Sequence, residues 1–331
     1  MSDEGEEDLN LKAGTEIISQ KATYVVVRLL GEGGFGAVYL VKEKGNGKQH
    51  AMKERKIEKR RHSKLKMEIA ILKLAGTGKH FTQILVGKSL ADLKTKLPGK
   101  VFSYQTGLGV SSQCLEAVED LHKLGFIHRD LKPQNYACGL PDQRHVIYLL
   151  DFGIARKIIG ADNKLKPPRS SLGFKGTVRF APLSSHNGNE QFCKDDVESW
   201  VYVLCDLVEK LPWSKVTDRE EVAELKKDAR FRLFKNEHYS KKLGGLLGTI
   251  DSWDPMKKCD YGIIQNLLKT LLKQTGHSVQ SKFDWEKEYE EPEFQAEVGG
   301  GGPSENEETN DGEDVKDDEN VNKCGNRTEF L

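Results

Sequence analysis

His128-Arg129-Asp130-Leu131-Lys132-Pro133-Gln134-Asn135 decides how the rest of this chain is read. Sixteen positions beyond Asn135, directly after the apolar run Val146–Leu150, stands Asp151-Phe152-Gly153. The residue types suit one chemistry. Asp130 can accept a hydrogen bond from a hydroxyl and take its proton late, and Lys132 can neutralise charge on a transferring phosphoryl group. Asn135 and Asp151 offer the carboxamide and carboxylate oxygens that Mg²⁺ prefers. These assignments make Asp130 and Lys132 the candidate catalytic pair and Asn135 and Asp151 the candidate metal ligands.

Upstream, the β-branched run Tyr24–Leu30 leads into Gly31-Glu32-Gly33-Gly34-Phe35-Gly36-Ala37-Val38. A glycine pattern of this kind is weak evidence alone, and an ordinary hairpin would carry it too. A dinucleotide fold would place a helix after it. Here a second strand-like run follows, Val38–Val41, then a turn at Gly45–Lys48 and a third run, His50–Lys53. Strand–loop–strand context fits a hairpin lid over a triphosphate, with Leu30 to Val38 against the nucleotide. Glycines let backbone N–H groups approach phosphate oxygens with no Cβ in the way. Lys53 closes the third run, and fifteen residues later Glu68 lies in a segment, 63–75, whose apolar residues Leu65, Ile69, Leu72 and Ala75 recur at helical spacing. A strand Lys paired with a helix Glu can hold α- and β-phosphates.

Downstream the pattern is helical. Ser111–Leu124, Asp196–Val208 and Ile263–Leu272 each read as helices, and Val146–Leu150 as a buried strand. A small sheet-rich lobe therefore precedes a larger helical one. With this outline the chain resembles the eukaryotic protein kinases, and within them the casein kinase I superfamily and its tau-tubulin-kinase-like branch. The strings that carry the likeness are LKMEIAILK (65–73), LVGKSLADL (85–93), GFIHRDLKPQN (125–135), LDFGIAR (150–156), GFKGTVRFAP (173–182), KDDVESWVYVL (194–204), LPWSKV (211–216) and FDWE (283–286).

The resemblance implies an α+β, two-lobed protein-kinase-like fold. It implies a serine/threonine protein kinase that uses ATP and Mg²⁺ and acts on protein hydroxyls. It implies a preference for acidic or already phosphorylated substrates, for which Lys175, Thr177 and Arg179 are the candidate substrate-binding residues. Thr177 matches the family residue that contacts the catalytic Asp and Lys, and Asp196 the one that holds the catalytic loop's backbone. Lys164, Lys166, Arg169, Lys175 and Arg179 cluster between Gly153 and Phe180. Read blandly they are a solvated basic loop.

One departure stands out. After the helix of Glu68, His80-Phe81-Thr82-Gln83 runs almost straight into Ile84-Leu85-Val86-Gly87. Against the family pattern roughly fifteen residues are absent, about one strand–turn–strand hairpin. The lobe's fourth strand and most or all of its fifth go with them, and residues 81–86 are left as a short substitute strand. This opens a second reading: a catalytically impaired kinase-fold scaffold that binds acidic or phosphorylated partners.

The formal charge of this 331-residue chain is zero, from 51 Lys+Arg and 51 Asp+Glu. The zero is a sum of unlike parts. Residues 1–10 hold five acids and no base, residues 286–331 net −12, and the interior nets +17. The expected organisation is a disordered acidic start (1–20), a kinase domain (21–290, small lobe 21–86, large lobe 87–290) and a disordered acidic tail (291–331). The six cysteines are scattered with no metal spacing, which suits reduced thiols in a cytoplasmic or nuclear protein. No apolar run is long enough to span a bilayer. A monomer with protein substrates and neither nucleic-acid nor membrane partners is expected. The basic run Lys53–Arg61 reads as the solvated approach to the Glu68 helix, and Trp200, Trp213 and Trp285 as packing.

Overall fold

The computed structural model describes residues 11–19, 22–33, 36–54, 62–76, 78–82, 86–170 and 172–288. The acidic tail and most of the basic run 53–61 lie outside them.

Four antiparallel strands make the small lobe, in the order β1 (Glu16–Ile18), β2 (Thr23–Gly33), β3 (Gly36–Glu43) and β4 (Gln49–Glu54). The three sequence-read strands appear where expected. β1 does not fit the loose start expected for 1–20. It pairs Glu16 with Val25 and Ile17 with Tyr24. The reason is an apolar surface that needs covering. Tyr24, Val26, Ala37, Tyr39, Val41 and Met52 form one buried face, and Leu11, Ile17 and Ala22 pack on it. The Leu11 N–H donates to the Tyr39 hydroxyl at 3.2 Å. The small lobe thus begins before residue 21.

Helix α1 (His62–Ala75) follows. Its buried residues Ile71 and Leu72 join the large lobe's core together with Phe81. The loop after it is pinned to the same lobe, because the Leu149 N–H donates to the His80 carbonyl at 2.9 Å. This explains how α1 keeps its place although no described strand extends the small-lobe sheet past β4. The substitute strand expected over 81–86 does not form at Phe81, Thr82 or Val86; residues 83–85 lie outside the described set. Instead the chain zips onto the large lobe directly. The Gly87 N–H donates to the Cys138 carbonyl (2.8 Å), and the Cys138 N–H to the Lys88 carbonyl (3.1 Å). A Cβ on Gly87 would stand 2.7 Å from the Gly139 carbonyl oxygen, so only glycine allows that approach.

The large lobe contains α2 (Leu90–Thr95), α3 (Tyr104–Lys123), short strands β5 (Phe126–Ile127), β6 (Tyr136–Cys138), β7 (Ile147–Leu149) and β8 (Arg156–Lys157), and then α4 (Leu183–His186), α5 (Cys193–Val208), α6 (Arg219–Asp228), α7 (Glu237–Leu243), α8 (Leu246–Asp251), α9 (Tyr261–Gln274) and α10 (Asp284–Glu288). α3, α5 and α9 pack around a core that includes Leu115, Val118, Trp200, Leu204, Ile264 and Leu268. Trp200, Trp213 and Trp285 are all fully buried, as read.

α3 starts seven residues before the reading from periodicity. Ser103 caps it, its hydroxyl accepting from the Thr106 N–H. Gly107 and Gly109 hide the first turns from a propensity reading. Gly107 is there for packing, since a Cβ would fall 2.0 Å from Cγ1 of Val208. β5 pairs with β8 and β6 with β7, and these two small ladders carry the loops on either side of the cleft. The described cysteines 114, 138, 193, 205 and 259 are free thiols, and no cluster of three metal-ligating side chains occurs among the described residues.

Candidate active site

β4 carries Lys53 and α1 carries Glu68, and the two meet at the cleft. The Lys53 ammonium donates to both Glu68 carboxylate oxygens, at 3.1 and 3.2 Å, and to Oδ1 of Asp151 at 3.2 Å. The Glu68 side chain is 5% exposed and that of Lys53 12%. One ammonium therefore ties both lobes at the cleft. Asp151 sits at φ +58°, a left-handed conformation that turns its carboxylate toward Lys53, and the Gly153 N–H also donates to it. Burial pushes the Asp151 carboxyl up, but Lys53, His128 and the Gly153 N–H outweigh it and hold the group below its ordinary value. Asp151 is thus an anion at the cleft.

β5 delivers the catalytic-loop segment. Arg129 has φ +71°, a costly conformation for a residue with a Cβ. Asp196, near the start of α5, holds it there. Its carboxylate accepts from the His128 N–H (2.6 Å), the Arg129 N–H (2.9 Å) and His122 Nε2 (2.8 Å). The His122 side chain is 4% exposed, and its Nδ1 bonds the Tyr261 hydroxyl. Burial pulls the His122 imidazolium down, but Cys193 and the Asp196 carboxylate pull it up harder, to about 9. His128 is structural. Its Nε2 donates to the Leu150 carbonyl (3.0 Å) and its Nδ1 accepts from the Asp130 N–H (3.2 Å), which links the catalytic loop to the strand before Asp151. Phe152 packs between the rings of His128 and Phe81.

The carboxylate of Asp130 is the meeting point. Thr177 Oγ1 donates to its Oδ1 at 2.7 Å, and Lys132 Nζ lies 2.9 Å from its Oδ2 and 3.1 Å from Thr177 Oγ1. Asn135 Nδ2 donates to the Asp130 carbonyl at 2.8 Å, which leaves the Asn135 amide oxygen for another partner. Gly176, at φ +103°, lets 173–182 approach; a Cβ there would stand 2.6 Å from the Arg129 carbonyl oxygen.

What holds the segment after Gly176 was not read from the sequence. Lys226 on α6 is fully buried, and its ammonium donates to the carbonyls of Val178 (2.7 Å) and Ala181 (2.6 Å) and faces His186 Nε2 at 3.0 Å. Three donors meet three acceptors. Tyr202 and Trp213 present their rings to the same ammonium, and Trp213 Nε1 donates to the Arg179 carbonyl. Burial pushes Lys226 down to about 7, with Arg230 adding to the fall and Glu198 opposing it. Behind it, Glu198 takes the Leu183 N–H and an ion pair from Arg230. The one sequence signal was a lysine in step with buried Val222 and Ala223 on the apolar stripe of α6. Arg179 itself is exposed and donates to the Ser214 carbonyl, and Lys175 is exposed at the rim.

A nucleotide and a divalent cation fit this donor set. Asn135 and Asp151 supply two oxygens, the number a Mg²⁺ bound mainly through substrate phosphates and water asks of a protein. On the roof, β2 and β3 pair Gly31 with Val38, Glu32 with Ala37 and Gly33 with Gly36, while Gly34 and Phe35 lie outside the described residues. A Cβ built on Gly31 meets nothing within 4 Å, so the backbone there faces open space. Leu30 is partly exposed at the same edge and Ala37 is buried.

Comparison with known proteins points the same way. The protein kinase domain family matches residues 24–278. The chain is 31% identical over 298 residues to a protein of Dictyostelium discoideum named as a probable serine/threonine-protein kinase, an overlap of 85% of this chain and 59% of that one. It is 27% identical over 283 residues to the serine/threonine-protein kinase spe-6 of Caenorhabditis elegans, covering 79% of this chain and 75% of the other. The chain thus spans less than two thirds of the Dictyostelium relative's length.

Proposed function

Because the chain belongs to the protein kinase family, we propose that it is a serine/threonine protein kinase that moves the γ-phosphoryl group of ATP to protein hydroxyls. The observation that carries this is the Lys53 ammonium, bonded at once to Glu68 and Asp151 beside an Asp130–Thr177–Lys132 cluster. Lys53 would orient α- and β-phosphates, and Asn135 and Asp151 would hold Mg²⁺, which would supply positive charge against the charge developing on the phosphates. Asp130 would accept the substrate hydroxyl's hydrogen bond and take its proton. Lys132, already 2.9 Å from Asp130, would face the transferring group.

The finer reading places the chain in the casein kinase I superfamily, near its tau-tubulin-kinase-like branch, on the strength of Gly176–Pro182. Its substrates are acidic or phosphorylated. Exposed Lys175 and Arg179 at the rim support this, with Arg179 trading the Ser214 carbonyl for an anion. Free thiols suit a cytoplasmic or nuclear setting.

The test is recombinant protein with labelled ATP and casein beside an Asp130→Asn control. Incorporation well above the control is expected, and equality with it ends the reading. An acidic peptide should lose more affinity with added salt than a neutral one. The second reading, a non-catalytic scaffold, draws on a small-lobe sheet whose last described strand is β4. A thermal shift with Mg·ATP separates the two, since a ligand bound only to the native state raises stability as RT ln(1 + [L]/Kd). No shift favours the scaffold.

A further inference from the structure

Between α4 and α5 the chain buries a carboxylate that the phosphoryl-transfer reading does not use. The Glu190 side chain is 3% exposed. Its Oε2 forms an ion pair with Arg156 Nη1 at 3.0 Å and accepts from Arg169 Nε at 2.8 Å and the Arg169 backbone N–H at 3.3 Å, and its Oε1 accepts from Arg169 Nη2 at 3.4 Å. This is a forked arginine–carboxylate contact with a second arginine on the same oxygen, the strongest class of hydrogen bond available to these groups.

The three residues come from different parts of the segment that follows Asp151-Phe152-Gly153. Arg156 lies in β8 and pairs across to Ile127 of β5, one residue before the catalytic loop. Arg169 lies thirteen residues further on, just before Leu172, whose N–H donates to the Gly188 carbonyl at 3.1 Å. Burial pulls the Arg129 guanidinium below its ordinary value, with Arg169 adding to the fall and Asp196 and Glu190 opposing it. Three guanidinium groups would repel one another without an anion among them. The repulsion is screened least at Arg156, whose side chain is 14% exposed.

We propose that Glu190 is a positioning residue, a built-in anion that clamps residues 156–170 to β5 and the catalytic loop. A phosphate set opposite an arginine cluster orders a loop by the same bonds. Here the anion is encoded in the chain, so the segment takes its working shape without modification. The inference rests on the kinase reading only in its turnover arm.

Three proteins test it: Glu190→Gln, Glu190→Ala and, from the partner side, Arg169→Met. Arg169 is 53% exposed, so its removal leaves the core intact. Amide hydrogen exchange is read first. The N–H groups of Gly160, Lys166 and Leu172, which bond Lys164, Ile158 and Gly188 carbonyls, should exchange faster in all three variants while α9 stays at the wild-type rate. Turnover should fall by about tenfold to a hundredfold, the equivalent of one charge-assisted hydrogen bond. Acetate, but not acetamide, should restore slow exchange and turnover to Glu190→Ala, because it returns a carboxylate to the arginines. Wild-type exchange in Arg169→Met and Glu190→Gln overturns the proposal. So does equal rescue by acetamide, or faster exchange across α9 as well as the segment. A wild-type protein without turnover would count against the kinase reading alone, since the exchange measurement needs no catalysis.

Discussion

Replacing Asp196 by Asn removes one negative charge at constant size. The wild-type carboxylate serves two backbone N–H groups with one oxygen each, and its Oδ2 also pairs with His122. Asn has one oxygen and an –NH₂ group, so one backbone donor faces another donor. Buried His122 keeps its Tyr261 contact but loses its anion. A hydrogen bond to a charged group is worth about 1.5–3 kcal/mol, and stranding a buried partner costs about 3–5 kcal/mol. These overlap in the same bonds, so a net loss of about 3–5 kcal/mol follows, or roughly 10 °C in Tm for a domain of this size. The structural effect reaches Asp130, because Arg129 at φ +71° is no longer held. A shift of that loop by an ångström lowers kcat by about a hundredfold. Denaturant unfolding and saturating-ATP turnover measure the two effects. A variant within about 0.5 kcal/mol of wild type, the range of an ordinary surface change, would refute the account of Asp196 as the loop's anchor.

The His122 ring gives a pH signature. Its folded-state value is raised to about 9 from 6.5, so its stabilisation is complete below pH 6.5 and is lost as pH rises through 9. The stability gap between wild type and His122→Gln should shrink across that window by about 3 kcal/mol. Lys226 has the opposite sign. Burial lowers it to about 7 from 10.5, so its contribution improves as pH rises between those values, and Lys226→Met should flatten that limb of the stability curve. Lys226→Met should also raise KM for a peptide substrate and leave KM for ATP alone, because the ammonium holds Val178 and Ala181 and touches nothing around Lys53. Gly107→Ala should cost about 1–3 kcal/mol by pressing on Val208, and adding Val208→Ala should return part of it in a denaturation cycle.

Much of the site was legible because its chemistry is local. His128–Asn135 and Asp151–Gly153 are short strings, and each side chain's role follows from type and neighbourhood. Glu68 was legible through helical spacing and Lys53 through its strand. Thr177 came from resemblance, and the structure puts its hydroxyl 2.7 Å from Asp130. The residues that were missed act across distance in sequence. Glu190 meets Arg156 over 34 positions, and Lys226 meets Val178 over 48. Nothing in a glutamate in a polar stretch, or a lysine in a charged helix, says which backbone or arginine it will find. The start of α3 was missed for a related reason: Gly107 and Gly109 read as breakers until Val208 and Phe283 are seen against them.

By itself the sequence determined the order of elements, the two-lobed plan and the identity of the cleft residues, because periodicity and short motifs encode local geometry. Only the tertiary structure decided how the shortened small lobe is completed and held. Burial drives both answers. The apolar face of β2–β4 takes Leu11 and Ile17 from a segment too polar to be read as ordered. α1 survives beside a sheet whose last described strand is β4 because Ile71 and Leu72 bury themselves in the large lobe. Which surface covers which is a property of the assembled chain, and no window of sequence contains it.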